Sequence, residues 1–163
     1  MRDMVGPAPL PEPLANRCFS VGLARANGVS PGRLRGNDLT APFQGVRAPI
    51  PLKTVEALAA AYAQRMRPGH VFAGATAARL WGLPVRGRWR EGDPLVIGVP
   101  AGTARTRAKG VVTREFDATR FSVCELDGLP VLDPIGTVLM LARDSSHADC
   151  VVLIDALLTP SSH

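Results

Sequence analysis

The stretch FSVCELDGLPVL, residues 121–132, constrains the fold more than any other part of the chain. It places Asp127 and Gly128 between two apolar flanks, which is typical of a two-residue β-hairpin turn. Asp133 and Pro134 follow at once and supply an N-cap and a first helical position for the run IGTVLMLAR. A hairpin that leads directly into a helix predicts a mixed α+β fold.

Other segments repeat this mixture of helical and extended patterns. The clearest helix is TVEALAAAYAQRM, residues 54–66, and a shorter one is predicted for GATAARLWG, residues 74–82. Strands are predicted for PLVIGVP, residues 94–100, and for VVTREF, residues 111–116. The part of the chain from residue 51 to residue 163 is therefore expected to form one small mixed α/β domain.

The two last helices have defined faces and ends. Helical spacing predicts that the helix after Pro134 buries one apolar face, made of Ile135, Val138, Leu139 and Ala142. Ser146 and Asp149 resemble a capping box, and they open a last helix that we expect to end at Pro160.

Composition narrows the class of protein. Apolar residues make up 46% of the chain but aromatic residues only 5%, so the core must consist mainly of Ala, Val and Leu. No apolar run approaches the roughly 18 residues of a membrane span, and no secretory signal pattern is present. These features predict a cytoplasmic protein without a membrane partner.

The three scattered cysteines, Cys18, Cys124 and Cys150, predict neither a disulfide framework nor a zinc site.

Charge is unevenly distributed along the chain. Residues 1–114 carry 17 Lys and Arg against 6 Asp and Glu, a balance of +11. Residues 115–163 carry 2 against 8, a balance of −6. A basic front part predicts a polyanionic partner such as nucleic acid.

The front part begins with a proline-rich segment, residues 1–16, that we expect to be a disordered tail. Residues 17–50 then have the order of a winged helix-turn-helix. Ser20 can cap a short helix that stops at Gly28, and Ser30 with Pro31 can start a second one. The stretch APFQGVRAPI, residues 41–50, reads as a ribbon around a Gln-Gly turn.

This segment has a set of residues suited to duplex DNA. The candidates have phosphate-binding or base-reading side chains and are Ser30, Arg33, Arg35, Asn37, Gln44 and Arg47. If the second helix is regular, Arg33 and Asn37 share a face and point to the bases. Arg35 and Arg47 would then contact phosphates. The alternative is a solvated helical hairpin that carries arginines on its outer face.

The whole pattern resembles the AbiEi family of antitoxins. FSVGLARANGVSPGRLRGNDLTAPFQGVRAP looks like the family's N-terminal winged helix-turn-helix, and residues 74–142 follow the order of its next domain. The resemblance covers about residues 17–158. It implies a transcriptional repressor that binds double-stranded promoter DNA. It also implies an antitoxin that opposes a nucleotidyltransferase toxin indirectly, without binding it.

The chain departs from the family in two places. The helix after the Gly-Leu-Pro-Val hairpin usually carries an arginine and, four residues on, an aspartate, whereas this chain has Gly136 and Met140. Many relatives continue into a domain that resembles very-short-patch-repair endonucleases, and this chain stops at His163, where such a domain would begin. A shortened relative without an antitoxin role, or a protein-interaction module with acidic C-terminal helices, therefore remain alternatives.

A second basic set lies in two loops that flank one predicted strand. Its members are Arg86, Arg88, Arg90, Arg105, Arg107 and Lys109. It predicts either a second DNA or RNA contact or two flexible charged loops.

Catalysis is not expected. The pairs Glu115/Asp117 and Glu125/Asp127 lack the Glu-x-Lys that a metal-dependent nuclease would need. No nucleophile motif or phosphate loop is present, so we expect no enzyme activity, metal or cofactor.

Overall fold

The computed structural model describes residues 7–159. Its class is α+β, as the sequence predicts. The chain begins with a 3-10 helix (Glu12–Leu14), strand β1 (Phe19–Ser20), helix α1 (Val21–Ala26), a second 3-10 helix (Arg33–Arg35) and strand β2 (Val46–Arg47). Then come α2 (Val55–Ala63), β3 (Val71–Phe72), α3 (Gly74–Leu80), β4 (Leu95–Pro100), β5 (Val111–Phe116), β6 (Val123–Leu126), β7 (Leu129–Leu132), α4 (Pro134–Ala142) and α5 (His147–Leu158).

The N-terminal segment, up to residue 50, is arranged around a two-stranded sheet. Strand β1 pairs with β2 in antiparallel register, Phe19 opposite Arg47. Helix α1 starts as expected, because Ser20 Oγ accepts the N–H of Leu23 at 3.1 Å. Of the predicted ribbon around the Gln-Gly turn, only a single antiparallel bridge forms, between Thr40 and Ala48.

The predicted disordered tail is wrong for its described part, residues 7–16. Leu14 is fully buried, and it packs in one apolar cluster with Phe19, Ala24, Val29 and Leu34. Leu10 packs against the same cluster. The prolines leave this segment without a periodic apolar pattern, so its sequence gives no sign of a buried face. Leu10 and Leu14 nevertheless anchor it in the cluster. Residues 1–6 lie outside the described residues.

The larger sheet has five strands in the order β5-β4-β3-β7-β6. Strand β3 is central: it runs antiparallel to β4 and parallel to β7. It has only two residues, Val71 and Phe72, which is too short for any alternating pattern, and the sequence did not predict it. The hairpin β6–β7 forms as predicted, with positive φ at both Asp127 (49°) and Gly128 (76°).

The two parts of the chain share one apolar core. Phe43 and Val46 from the N-terminal segment lie in the same cluster as Tyr62 of α2, Phe72 of β3 and Ile97 of β4. The proposed domain boundary at residues 50–53 therefore crosses a continuous core, and the division into domains stays a prediction. No helix among residues 7–159 is long and apolar enough to cross a membrane.

The predicted buried face of α4 is wrong at two of its positions. Ile135 is 65% exposed and Leu139 52% exposed, whereas Val138 is buried. Two polar contacts set the helix rotation: Asp133 Oδ1 accepts the N–H of Gly136 at 2.8 Å, and Thr137 Oγ1 donates to the Leu132 carbonyl at 3.0 Å. The inward face is consequently made of Gly136, Thr137 and Val138, of which an apolar count predicts only the valine. The last helix begins after Ser146 as predicted, and its predicted end at Pro160 lies outside the described residues.

Adjacent truncations in α4 test this orientation. We expect Val138→Ala to lower the free energy of unfolding by about 1–3 kcal/mol, because it leaves a cavity in the core. Leu139→Ala removes more atoms but should cost less than about 1 kcal/mol, because its side chain is already half in water. Denaturant unfolding of both variants measures the difference. A larger loss for Leu139→Ala would contradict the observed face.

Candidate nucleic-acid interface

The predicted second helix is reduced to a single 3-10 turn. Ser30 Oγ accepts the N–H of Arg33 at 3.2 Å, but the N-cap of the 3-10 helix is Gly32 and not the predicted Ser30. The turn ends at Gly36, which adopts an extended ψ of 143°. Two glycines within five residues disfavour a regular helix by roughly 1 kcal/mol each. The prediction of an α-helical recognition element is therefore wrong, and Arg33 and Asn37 share no helical face.

Arg33 holds this loop together from the inside. Its guanidinium binds both carboxylate oxygens of Asp38, at 2.9 and 2.6 Å, and its Nε donates to the carbonyl of Ala8. The Arg33 side chain is only 11% exposed. Its hydrogen bond holds the pKa of Asp38 below the ordinary value of 3.8. Each guanidinium nitrogen of Arg33 already has one protein partner, so the geometry gives no support to the expectation that Arg33 faces bases, which stays a prediction.

Gly36 lies directly against this ion pair. A Cβ at position 36 would lie 2.6 Å from Asp38 Oδ1 and 2.8 Å from Arg33 Nη1. Both distances are shorter than any ordinary contact. A larger residue at Gly36 would therefore separate the arginine from its carboxylate.

Arg47 has a similar structural role on the ribbon. Its Nε donates to the carbonyl of Leu34 at 2.8 Å, and its Nη1 donates to the carbonyl of Val46 at 2.9 Å. It therefore ties the 3-10 turn to strand β2 and is half-buried. The predicted phosphate contact for Arg47 lacks the free guanidinium that the sequence argument assumed.

The remaining candidates are exposed. Arg35, Asn37 and Gln44 all present their side chains to solvent, and Arg25 does so at the end of α1. The Gln44 carbonyl accepts from Arg65 Nη1 at 3.0 Å, which connects the turn of the ribbon to α2. Sequence reasoning missed Arg65, because nothing local relates the end of a helix to a turn twenty-one residues earlier.

The second basic set is brought together only in part. Trp89 and Ala108 pack on the same core, and Leu95 N–H donates to the Gly110 carbonyl at 2.9 Å, so the two loops meet near the start of β4. Arg86 instead lies 3.6 Å from Asp149 of α5. Arg86 is nevertheless exposed, and so are the other five members: Arg88, Arg90, Arg105, Arg107 and Lys109.

An open groove of about 880 Å³ separates the ribbon from these loops. Trp89 and Phe43 contribute apolar walls, and Lys109 lies at the edge. Three acids, Asp38, Glu91 and Asp93, line it against two lysines, Lys53 and Lys109, so the groove itself is not electrostatically suited to a phosphate.

Of the two acidic pairs, Glu115/Asp117 has local partners, whereas Glu125 lies on β6 and Asp127 in the hairpin turn. Glu115 binds Arg105 at 2.9 Å, and Asp117 accepts from the Thr119 hydroxyl at 2.6 Å. Within residues 7–159, no three His, Cys, Asp or Glu side chains are placed to hold a metal ion.

Comparison of the chain with models of protein families and with curated proteins finds no match.

The Arg33–Asp38 pair predicts a pH dependence of stability. A carboxyl group whose pKa is lower in the folded state stabilises that state above its unfolded pKa, and the effect is lost as the pH falls through the folded value. We expect wild type to be more stable than Asp38→Asn at about pH 7, and the difference to shrink as the pH approaches about 3. Denaturant midpoints across this range provide the measurement.

Asp144→Asn is the matched control for this titration. Asp144 pairs with Arg114 at 3.5 Å, but both side chains are more than half exposed, so the pair should add little to stability. An Asp38→Asn difference that stays constant down to about pH 3 would refute the role given to the carboxylate.

Proposed function

We propose that this protein binds double-stranded DNA through its N-terminal segment. The observation that carries the proposal is the bracing of the loop by Arg33 and Arg47. These two arginines bind a carboxylate and backbone carbonyls, and they hold Arg35 and Asn37 on the outside of a fixed loop. Preorganised polar side chains on a rigid frame are what specific base and phosphate contacts need.

The roles differ from those that a regular helix would give. Asn37 and Gln44 carry exposed amides that can hydrogen-bond base edges. Arg35 is exposed and supplies charge for a neighbouring phosphate. Ser30, Arg33 and Arg47 shape the loop and act through it.

The charge distribution supports the same partner. The balance of +11 over residues 1–114 favours a polyanion on this part of the molecule. The acidic remainder, with its balance of −6, keeps DNA away from the other part. This asymmetry orients the protein on its partner before any specific contact forms.

The resemblance to the AbiEi antitoxins adds a biological role to the proposed DNA binding. On that basis, the protein represses its own promoter in a type IV toxin–antitoxin system and opposes a nucleotidyltransferase toxin indirectly. A neighbouring toxin gene whose product is harmless only when this protein is expressed would support the antitoxin role. Unaltered toxicity would restrict the protein to DNA binding.

A protein-interaction module is the second candidate, and one observation favours it. Helices α4 and α5 expose large apolar side chains, among them Ile135, Val151 and Leu158, and Leu158 is 78% exposed. Exposed apolar residues at this density are common at protein interfaces.

Salt titrations test the DNA proposal. If the protein neutralises four to six phosphates, log K against log salt should fall with a slope of about −4 to −5. The duplex should be one selected by the protein from a random pool, with a scrambled duplex of equal length alongside. A flat salt response, or no binding at low salt, would reject DNA as the partner.

Two substitutions distinguish sequence-specific recognition of DNA from non-specific electrostatic attraction to it. Asn37→Ala should cost roughly 1–3 kcal/mol on the selected duplex and much less on the scrambled one. Arg35→Ala should weaken both alike and flatten the salt slope by about one unit. Arg120→Ala removes the same charge from the acidic part of the chain and is the control. Equal losses for Arg35→Ala and Arg120→Ala would mean that only net charge matters.

A further inference from the structure

Arg105, Arg107 and Lys109, which we call the basic strip, lie on the loop between β4 and β5. All three are exposed, whereas the intervening Thr106 and Ala108 are half-buried. Up to Ala108 this alternation is that of an extended chain, in which every second side chain lies on the same side, about 6.6 Å from the next. Lys109 follows in a turn that the Val111 N–H closes on the Ala108 carbonyl at 3.2 Å. The strip is thus a short run of exposed cations on one loop.

The inward residues hold the loop in place. Thr106 Oγ1 lies 3.3 Å from the hydroxyl of Tyr62, and the Thr106 carbonyl accepts from Thr113 Oγ1 at 3.1 Å. Ala108 packs on the main core. These contacts argue against the flexible charged loop that the sequence left open.

One end of the loop also covers a buried histidine. His70 is only 6% exposed. Burial, reinforced by the charge of Arg67, lowers its pKa, and the backbone of Ala104, at the start of the loop, opposes part of that shift.

The strip adjoins the N-terminal segment. The ring of Tyr62, which holds Thr106, packs edge-on against Phe43 at a centroid distance of 5.0 Å. A Cβ on Gly110 would lie 4.0 Å from the Phe43 ring. Because Phe43 directly precedes the exposed Gln44, the strip lies beside the turn of the ribbon.

The cations of the strip differ in availability. Arg105 binds Glu115 at 2.9 Å, which neutralises much of its charge. Arg107 and Lys109 make no side-chain hydrogen bond or ion pair with any residue from 7 to 159. Glu91 and Asp93 line the groove next to Lys109 and offset part of its charge.

We propose that Arg107 and Lys109 bind the phosphate backbone of the same DNA duplex that the N-terminal segment recognises. The inference rests on the proposed function and enlarges its footprint by about two phosphates. Duplex DNA fits better than a single strand, because single-strand sites stack bases on exposed aromatic rings. Beside the strip Phe43 and Tyr62 are buried, and Trp89, which lines the groove with Lys109, is a single partly exposed ring, whereas a single strand stacks successive bases on several.

The test is a salt titration of the double variant Arg107→Ala/Lys109→Ala on the selected duplex. Loss of two phosphate contacts should flatten the slope by about two units and weaken binding at least about ten-fold at roughly 0.1 M salt. The preference for the selected over the scrambled duplex should be retained, because phosphate contacts carry no sequence information. Thermal midpoints show whether the variant remains folded.

Arg120→Ala/Arg143→Ala is the matched control, since it removes two exposed arginines from the acidic part of the chain. If wild type binds DNA and the two double variants have the same slope, the strip makes no phosphate contact and only this inference fails. If wild type does not bind DNA, the proposed function itself fails. A single-stranded RNA probe is run in parallel. Selective loss of RNA binding in the Arg107→Ala/Lys109→Ala variant, with DNA binding intact, would overturn the assignment to duplex DNA.

Discussion

The ring of Tyr62 connects the parts of this molecule. It packs edge-on between Phe43 of the ribbon and Phe72 of the central strand, with centroid distances of 5.0 and 6.4 Å. Its hydroxyl reaches Thr106 in the loop between β4 and β5. The chain has two Trp, one Tyr and five Phe, so three of its eight aromatic rings lie in this one row. The positions of the ribbon, the sheet and the loop therefore depend on one another.

Local signals in the sequence predicted much of this fold. The Asp-Gly turn, the Ser20, Asp133 and Ser146 caps, and strands β4 and β5 each depend on a few neighbouring residues, and all are present. Strand β3 was missed, because a two-residue strand owes its existence to partners that come later in the chain. The face of α4 was misassigned, because a threonine hydroxyl and a glycine took core positions that an apolar pattern reserves for isoleucine and leucine.

The candidate interface shows the same limit. The sequence predicted Arg33 and Arg47 as DNA contacts from their type and spacing alone. Their partners, the carbonyls of Ala8 and Leu34, are distant backbone atoms that no side-chain pattern encodes. An arginine that binds a carbonyl and one that binds a phosphate look identical in sequence, and only burial separates them. Arg35, Asn37 and Gln44 are exposed, and their side chains therefore remain available to contact a partner.

The parallel pairing of β4 with β5 limits how the loop between them can vary in length. Leu95 lies opposite Val111 and Pro100 opposite Phe116, so residues 101–110 must return along the whole strand, roughly 17 Å. Gly102, with φ of +79°, reverses the chain at the far end. Five residues of extended chain, about the length of 105–109, already cover most of that distance. Insertions can be absorbed at the reversal, whereas deletions would shorten the extended stretch and draw β5 out of register. Among homologues, this loop should therefore gain residues more readily than it loses them.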